Sequence, residues 1–143
     1  MLSNVFFDEL IKVGVRYKNW VVLDARDSFY GENDFKKVFG ERYIEVDLKG
    51  ICINQAVGLA LTGKIPIVLG GAEMFLNSLK EIQDNLSGNC INIKMVGIGD
   101  TKAKDHIEKS PYMNVIAPTN EADAKTAVLS MIEGYGPIYV HVI

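Results

Sequence analysis

The chain has 143 residues, 48% of them hydrophobic and 23% charged, with a formal net charge of −3. That length suits one domain with a real core and leaves no room for two. The balance excludes a disordered or fibrous chain, and an acidic chain with scattered lysines offers no basic stripe for nucleic acid.

No apolar run approaches the ~18 residues needed to span a bilayer, and Asp8 and Glu9 stand where a signal peptide would be apolar. Cys52 and Cys90 are far apart, lack a C-x-x-C context and have apolar neighbours. They read as buried thiols in a reducing compartment, so a cytoplasmic location is expected.

In chain order, Ser3 is expected to cap a helix running to about Tyr17, with Phe6, Phe7, Leu10, Ile11 and Val13 on its apolar face. Trp20–Ala25 (WVVLDA) is continuously apolar, as an interior parallel strand requires. The acid-rich stretch 26–34 is a loop at that strand's carboxyl end, followed by a short helix 34–39 that closes at Gly40.

A strand over 43–47 precedes Lys49–Val68, which reads as a buried helix to Leu61, a Gly-Lys turn and an apolar strand 65–69. Small Gly58 and Ala60 are expected to admit a neighbouring backbone. Gly70 and Gly71 are expected to form a turn into a helix over 72–86, with Phe75, Leu79, Ile82 and Leu86 buried, broken by Ser87-Gly88-Asn89.

Strand 91–98, helix 102–109, strand 114–117, helix 121–133 and strand 137–143 complete the chain, with Thr119 or Asn120 capping the helix at 121. Strands alternate with helices throughout, without a repeat or linker. The expected fold is α/β: a single domain, 1–143, with a mostly parallel six-stranded sheet between two helical layers.

Chemical motifs are scarce. G-x-S-x-G, the P-loop pattern and H-E-x-x-H are all absent. Gly97-Ile98-Gly99-Asp100 reads as a strand-ending turn, His106 as a helix-surface residue, and His141 as structural or interfacial. Gly70-Gly71 before a helix could hold an anion on free amides, but reads first as a strand-to-helix turn.

Several segments in order nevertheless resemble one family: VVLDA at 21–25, the Arg42-Tyr43 strand, GLALTGKIP at 58–66, NIKMVG at 92–97, NVIAP at 114–118 and GPIYV at 136–140. Together they resemble the pyrimidine-binding domain of transketolases and deoxyxylulose-phosphate synthases across the whole chain. The resemblance implies a thiamine-diphosphate-binding fold. It also implies a glutamate that shares a proton with a ring nitrogen of the cofactor, aromatic residues stacked on that ring, and a metal–diphosphate clamp on another domain.

On this resemblance the glutamate position is Lys49. An ammonium donates hydrogen bonds and accepts none, so it cannot share that proton. Asp47 and Glu45 are nearby in sequence, and Asp47 would substitute only if the helix began differently, which needs a gap inside a helix. Where the family has roughly S-T-F-x-x-F, this chain has Leu69-Gly70-Gly71-Ala72-Glu73-Met74, so Gly71 and Met74 fall at the ring positions and Phe75 lies one beyond.

The family's G-E-D-G-x-T-H-Q loop does not fit between Gly99 and His106, and the G-D-G clamp is missing. The candidate cleft is therefore Lys49, Gly70, Gly71, Met74 and Phe75, with no catalytic residue and no metal ligand. The chain is expected to be inactive alone and to hold no cofactor by itself. Thiamine diphosphate with magnesium would bind only if a partner diphosphate-binding subunit completed the site. The other partner expectation is a homodimer, formed to cover the apolar 49–61 helix.

Overall fold

The computed structural model describes residues 1–27, 29–86, 91–111 and 113–143. Six parallel strands form one sheet: β1 (Trp20–Asp24), β2 (Tyr43–Glu45), β3 (Ile65–Gly71), β4 (Lys94–Ile98), β5 (Asn114–Ile116) and β6 (Ile138–Val142). Their order across the sheet is β2-β1-β3-β4-β6-β5, and every neighbouring pair is parallel. The expected three-layer α/β fold is the observed one.

Side chains alternate along each strand, so each face has its own core. On one face Trp20, Val22, Ile67, Leu69, Val96 and Val140 pack against α1 (Leu2–Gly14), α2 (Glu32–Phe39) and α7 (Glu121–Glu133). On the other, Val21, Leu23, Val68, Met95 and Tyr139 meet α3 (Cys52–Leu61), α4 (Ala72–Asn77), α5 (Leu79–Asn85) and α6 (Lys102–Glu108). β1 is buried at all five positions, as the apolar run Trp20–Leu23 predicts for the first four; the fifth is the charged Asp24.

Local expectations fail where tertiary contacts override them. Ser3 does not cap α1: the helix starts at Leu2, and the buried Ser3 donates its backbone N–H to Ile143 O at 2.9 Å. α1 also stops at Gly14 rather than near Tyr17. The strand expected over 43–47 contracts to Tyr43–Glu45 at the sheet edge, and the one expected from Ile91 begins at Lys94.

Lys49–Ile51 is a 3-10 turn, and α3 proper begins at Cys52. That helix is not buried all round, because Leu61 is 74% exposed and the Cα of Gly58 faces open space. Gly58 therefore admits no neighbouring backbone. Gly63 does the work of the Gly-Lys turn, with φ 91° just past the helix end.

Gly70 and Gly71 continue β3 in extended conformation, so the expected glycine turn does not exist. The helix expected over 72–86 is divided at Ser78 into α4 and α5, and Leu79 is only half-buried. Ser87-Gly88-Asn89 and Cys90 lie outside the described residues. Helix α7 has its expected limits, with Asn120 Oδ1 accepting the Asp123 N–H at 2.8 Å.

Candidate functional site

Strand order places a crevice on the sheet. From β1 the chain passes through α2 to β2 on one side, and from β3 it passes through α4 and α5 to β4 on the other. Adjacent parallel strands whose connections diverge leave a gap beyond their carboxyl ends, the usual ligand position in open α/β sheets. A cavity of about 320 Å³ lies there.

Asp27 follows β1 into this cavity, Lys49 and Gly50 come from the 3-10 turn, and Gly71 closes β3. Glu73, Met74 and Asn77 project from α4, with Ser78 and Glu81 at the start of α5. Three of the five sequence-predicted residues, Lys49, Gly71 and Met74, thus line one cleft.

The other two do not line it. Gly70 is buried one step back along β3, where an added Cβ would lie 2.7 Å from Met74 Cε. Phe75 is 0% exposed and packs edge-on against Tyr139, with ring centroids 5.3 Å apart, so this aromatic belongs to the core.

Lys49 Nζ donates to the Asp27 carboxylate, and both side chains remain in contact with solvent. Glu45 pairs instead with Lys36 at 3.1 Å, Asp47 is exposed, and neither lines the cleft. Among the described residues, no group of three or more His, Cys, Asp or Glu could hold a metal.

Beside the cleft, on the opposite face of β1, sits a buried polar cluster that sequence reading misses. Asp24 is 0% exposed and accepts from Arg26 Nε at 2.9 Å, Arg26 Nη2 at 2.7 Å and the Tyr43 hydroxyl at 2.6 Å. The Arg26 guanidinium lies 4.4 Å from the Phe7 ring centroid and donates again to Tyr30 O. Burial, then the bond to Asp24, pushes the Tyr43 hydroxyl well above the usual phenol range. A charged residue inside an interior strand, VVLDA, was the available signal.

The remaining polar candidates have structural positions. Burial pushes the Cys52 thiol up to about 11, so it is no thiolate nucleophile. Gly97 makes room for the Tyr139 hydroxyl, and Gly99, at φ 110°, ends β4 and donates its N–H to Val142 O. His106 is exposed and bonds the Lys102 carbonyl at 2.7 Å.

His141 is 4% exposed, and neither ring nitrogen has a partner among the described residues. Burial and then Lys104 hold its pKa down. Lys94 is also buried and donates to Gly134 O and Gly136 O beyond the end of α7; burial lowers its pKa to about 8. None of these residues lines the cleft.

No protein-family model matches the chain. It is 31% identical, over 93% of its length, to a protein of Methanocaldococcus jannaschii described as a transketolase C-terminal section, covering 47% of that protein. Among solved structures, the inactive β4 tetramer of a split-gene transketolase superposes over 98% of this chain and 50% of its own, with a TM-score of 0.88 and 23% identity. A Mycobacterium smegmatis protein described as a thiamin diphosphate-dependent enzyme superposes with a TM-score of 0.74 and 14% identity, over 99% of this chain and 31% of its own.

The α/β fold is that of the transketolase structure it superposes on, and the sequence is similar to a transketolase C-terminal section. The chain spans about half the length of the transketolase-section relative and of the split-gene chain it matches. No described helix is long and apolar enough to cross a membrane.

Proposed function

We propose that this chain is a transketolase-like domain whose cleft no longer performs thiamine chemistry, acting as a scaffold or regulatory subunit rather than a catalyst. The observation that carries this reading is the Lys49–Asp27 ion pair, at the position where the resemblance calls for a proton-sharing glutamate. The ammonium has no lone pair for a ring proton, and its charge opposes protonation of a neighbouring ring nitrogen.

The cleft also lacks a ring to stack on a pyrimidine, since Gly71 has no side chain and Phe75 faces the core. The residues present do not fit thiamine diphosphate, so no catalytic step is assigned. A cytoplasmic location agrees with the buried, unpaired Cys52.

A second reading, favoured by the half-length match to a split-gene transketolase, is a subunit of a split enzyme completed by a diphosphate-binding chain. Exposed Ile44, Leu48 and Ile51, near the free edge of β2, supply apolar surface for such a partner or for a second copy. Calorimetric titration with thiamine diphosphate and magnesium, on the chain alone and with any co-purifying protein, separates the two. The scaffold reading expects no binding heat in either case, and saturable heat with the partner present would establish the split enzyme instead.

A further inference from the structure

Three buried polar atoms on one face of β6 have no hydrogen-bond partner among the described residues: the Tyr139 hydroxyl and both ring nitrogens of His141. Tyr139 is 0% exposed and His141 4% exposed. Two residues apart on a strand, their side chains share a face of the sheet, the one that α4 and α6 cover. Buried polar groups are nearly always paired, so orphans gathered in one place mark a site where something polar binds.

Strand pairing brings the two side chains together. Gly97 of β4 is the register partner of His141, and a Cβ added at Gly97 would lie 1.9 Å from Tyr139 Oη. The tyrosine therefore reaches along the sheet into the space over Gly97, beside His141. With neighbouring strands about 4.8 Å apart, its hydroxyl sits within about 7 Å of the His141 Cβ, from which the imidazole nitrogens extend.

The surroundings select the occupant. Tyr139 is enclosed by an apolar core that includes Phe75, Met95, Ala103 and Ile107, where an ion would lose its hydration. A hydroxyl that donates and a neutral imidazole that accepts call for a small neutral molecule able to do both, which is water. Globular proteins hold about one buried water per 27 residues, so about five are expected in a chain of 143.

We propose that Tyr139 and His141 bind one internal water molecule over Gly97. The water accepts the Tyr139 O–H and donates to the unprotonated ring nitrogen of His141, so a single molecule satisfies two of the three orphaned atoms. Gly97 is the residue that leaves the hydroxyl its space. Neither side chain lines the cleft, so this site is independent of the functional reading given above.

High-resolution crystallography of the full chain tests the proposal, together with oxygen-17 relaxation of water in solution, which counts long-lived internal waters. The crystal should show one water within about 3.2 Å of both Tyr139 Oη and a His141 ring nitrogen. Tyr139→Phe keeps the ring against Phe75 and removes only the hydroxyl, and it should lower the count of long-lived waters by one. His141→Phe should remove the same molecule, so the double variant loses one water and not two.

Thermal unfolding checks that each variant folds, and the wild-type crystal decides the matter even where one does not. A direct Tyr139–His141 hydrogen bond, no water within reach of both side chains, or an unchanged count in folded Tyr139→Phe each overturns the proposal. None of these outcomes touches the reading of Lys49, which the thiamine diphosphate titration tests separately.

Discussion

Two carboxylate–cation pairs lie within three residues of each other at the end of β1, and they differ in almost every physical respect. Asp24 and Arg26 have side chains 0% and 2% exposed and are joined by a fork of charge-assisted hydrogen bonds, with Tyr43 added. Asp27 and Lys49 are 88% and 41% exposed and are joined at a single point. The first pair has surrendered its hydration and depends on its partners. The second remains in water and is free to exchange.

The contrast explains why the two pairs serve different purposes. The Asp24 cluster ties β1 to β2 and to the aromatic layer of α1 and α2, and through Arg26 it also holds the Tyr30 carbonyl. Asp27 follows Arg26 directly, so the exposed pair is one residue away from the buried one.

Breaking the buried pair should therefore have the largest effect. Asp24→Ala leaves the Arg26 guanidinium uncompensated and is expected to cost about 3–5 kcal/mol in urea denaturation. Tyr43→Phe removes one neutral donor from the same carboxylate and should cost about 1–2 kcal/mol, read the same way. A cost for Asp24→Ala no greater than for Tyr43→Phe would mean that the two pairs are less different than their burial indicates.

His141 sharpens the comparison as a buried titratable group with no hydrogen-bond partner among the described residues. Its folded pKa lies below the ordinary 6.5 because burial and Lys104 oppose the charge, and the nearby Asp100 and Asp105 only partly offset them. As pH falls through about 6.5, the unfolded chain takes up a proton that the folded chain refuses. Stability present at pH 7.5 should therefore decline towards pH 5, and His141→Phe should flatten that part of the pH–stability curve.

The smallest effect is expected at the exposed pair. Lys49→Met should change stability by less than about 1 kcal/mol, and 1 M salt should erase most of that difference. A loss comparable to that of Asp24→Ala would show that Lys49 is a structural post rather than a group presented to the cleft.

Much of this architecture was legible from local signals. Helix α7 has the limits that Asn120 and Gly134 imply, because its cap and stop are both encoded within a few residues. The interior position of β1 follows from its apolar run Trp20–Leu23. The division at Ser78 was not legible, since neither Gly nor Pro marks it.

The site was legible only in part, for the same reason. The family resemblance located Lys49, Gly71 and Met74, which are tied to an ordered motif. Asp27, Glu73 and Glu81 come from separate loops and helices, and only the β1/β3 register brings them to one cavity. Phe75 shows the reverse failure: an aromatic next to the expected ring position is taken by the core through Tyr139.

The central claim is that the position of the proton-sharing acid is held by an ammonium paired to Asp27. A crystal structure grown with thiamine diphosphate and magnesium, together with any co-purifying partner, tests it most directly. The account requires the Lys49–Asp27 pair to be intact and no aminopyrimidine in the cleft. A carboxylate such as Asp47, Glu45 or Glu73 within hydrogen-bonding distance of a bound aminopyrimidine would contradict it.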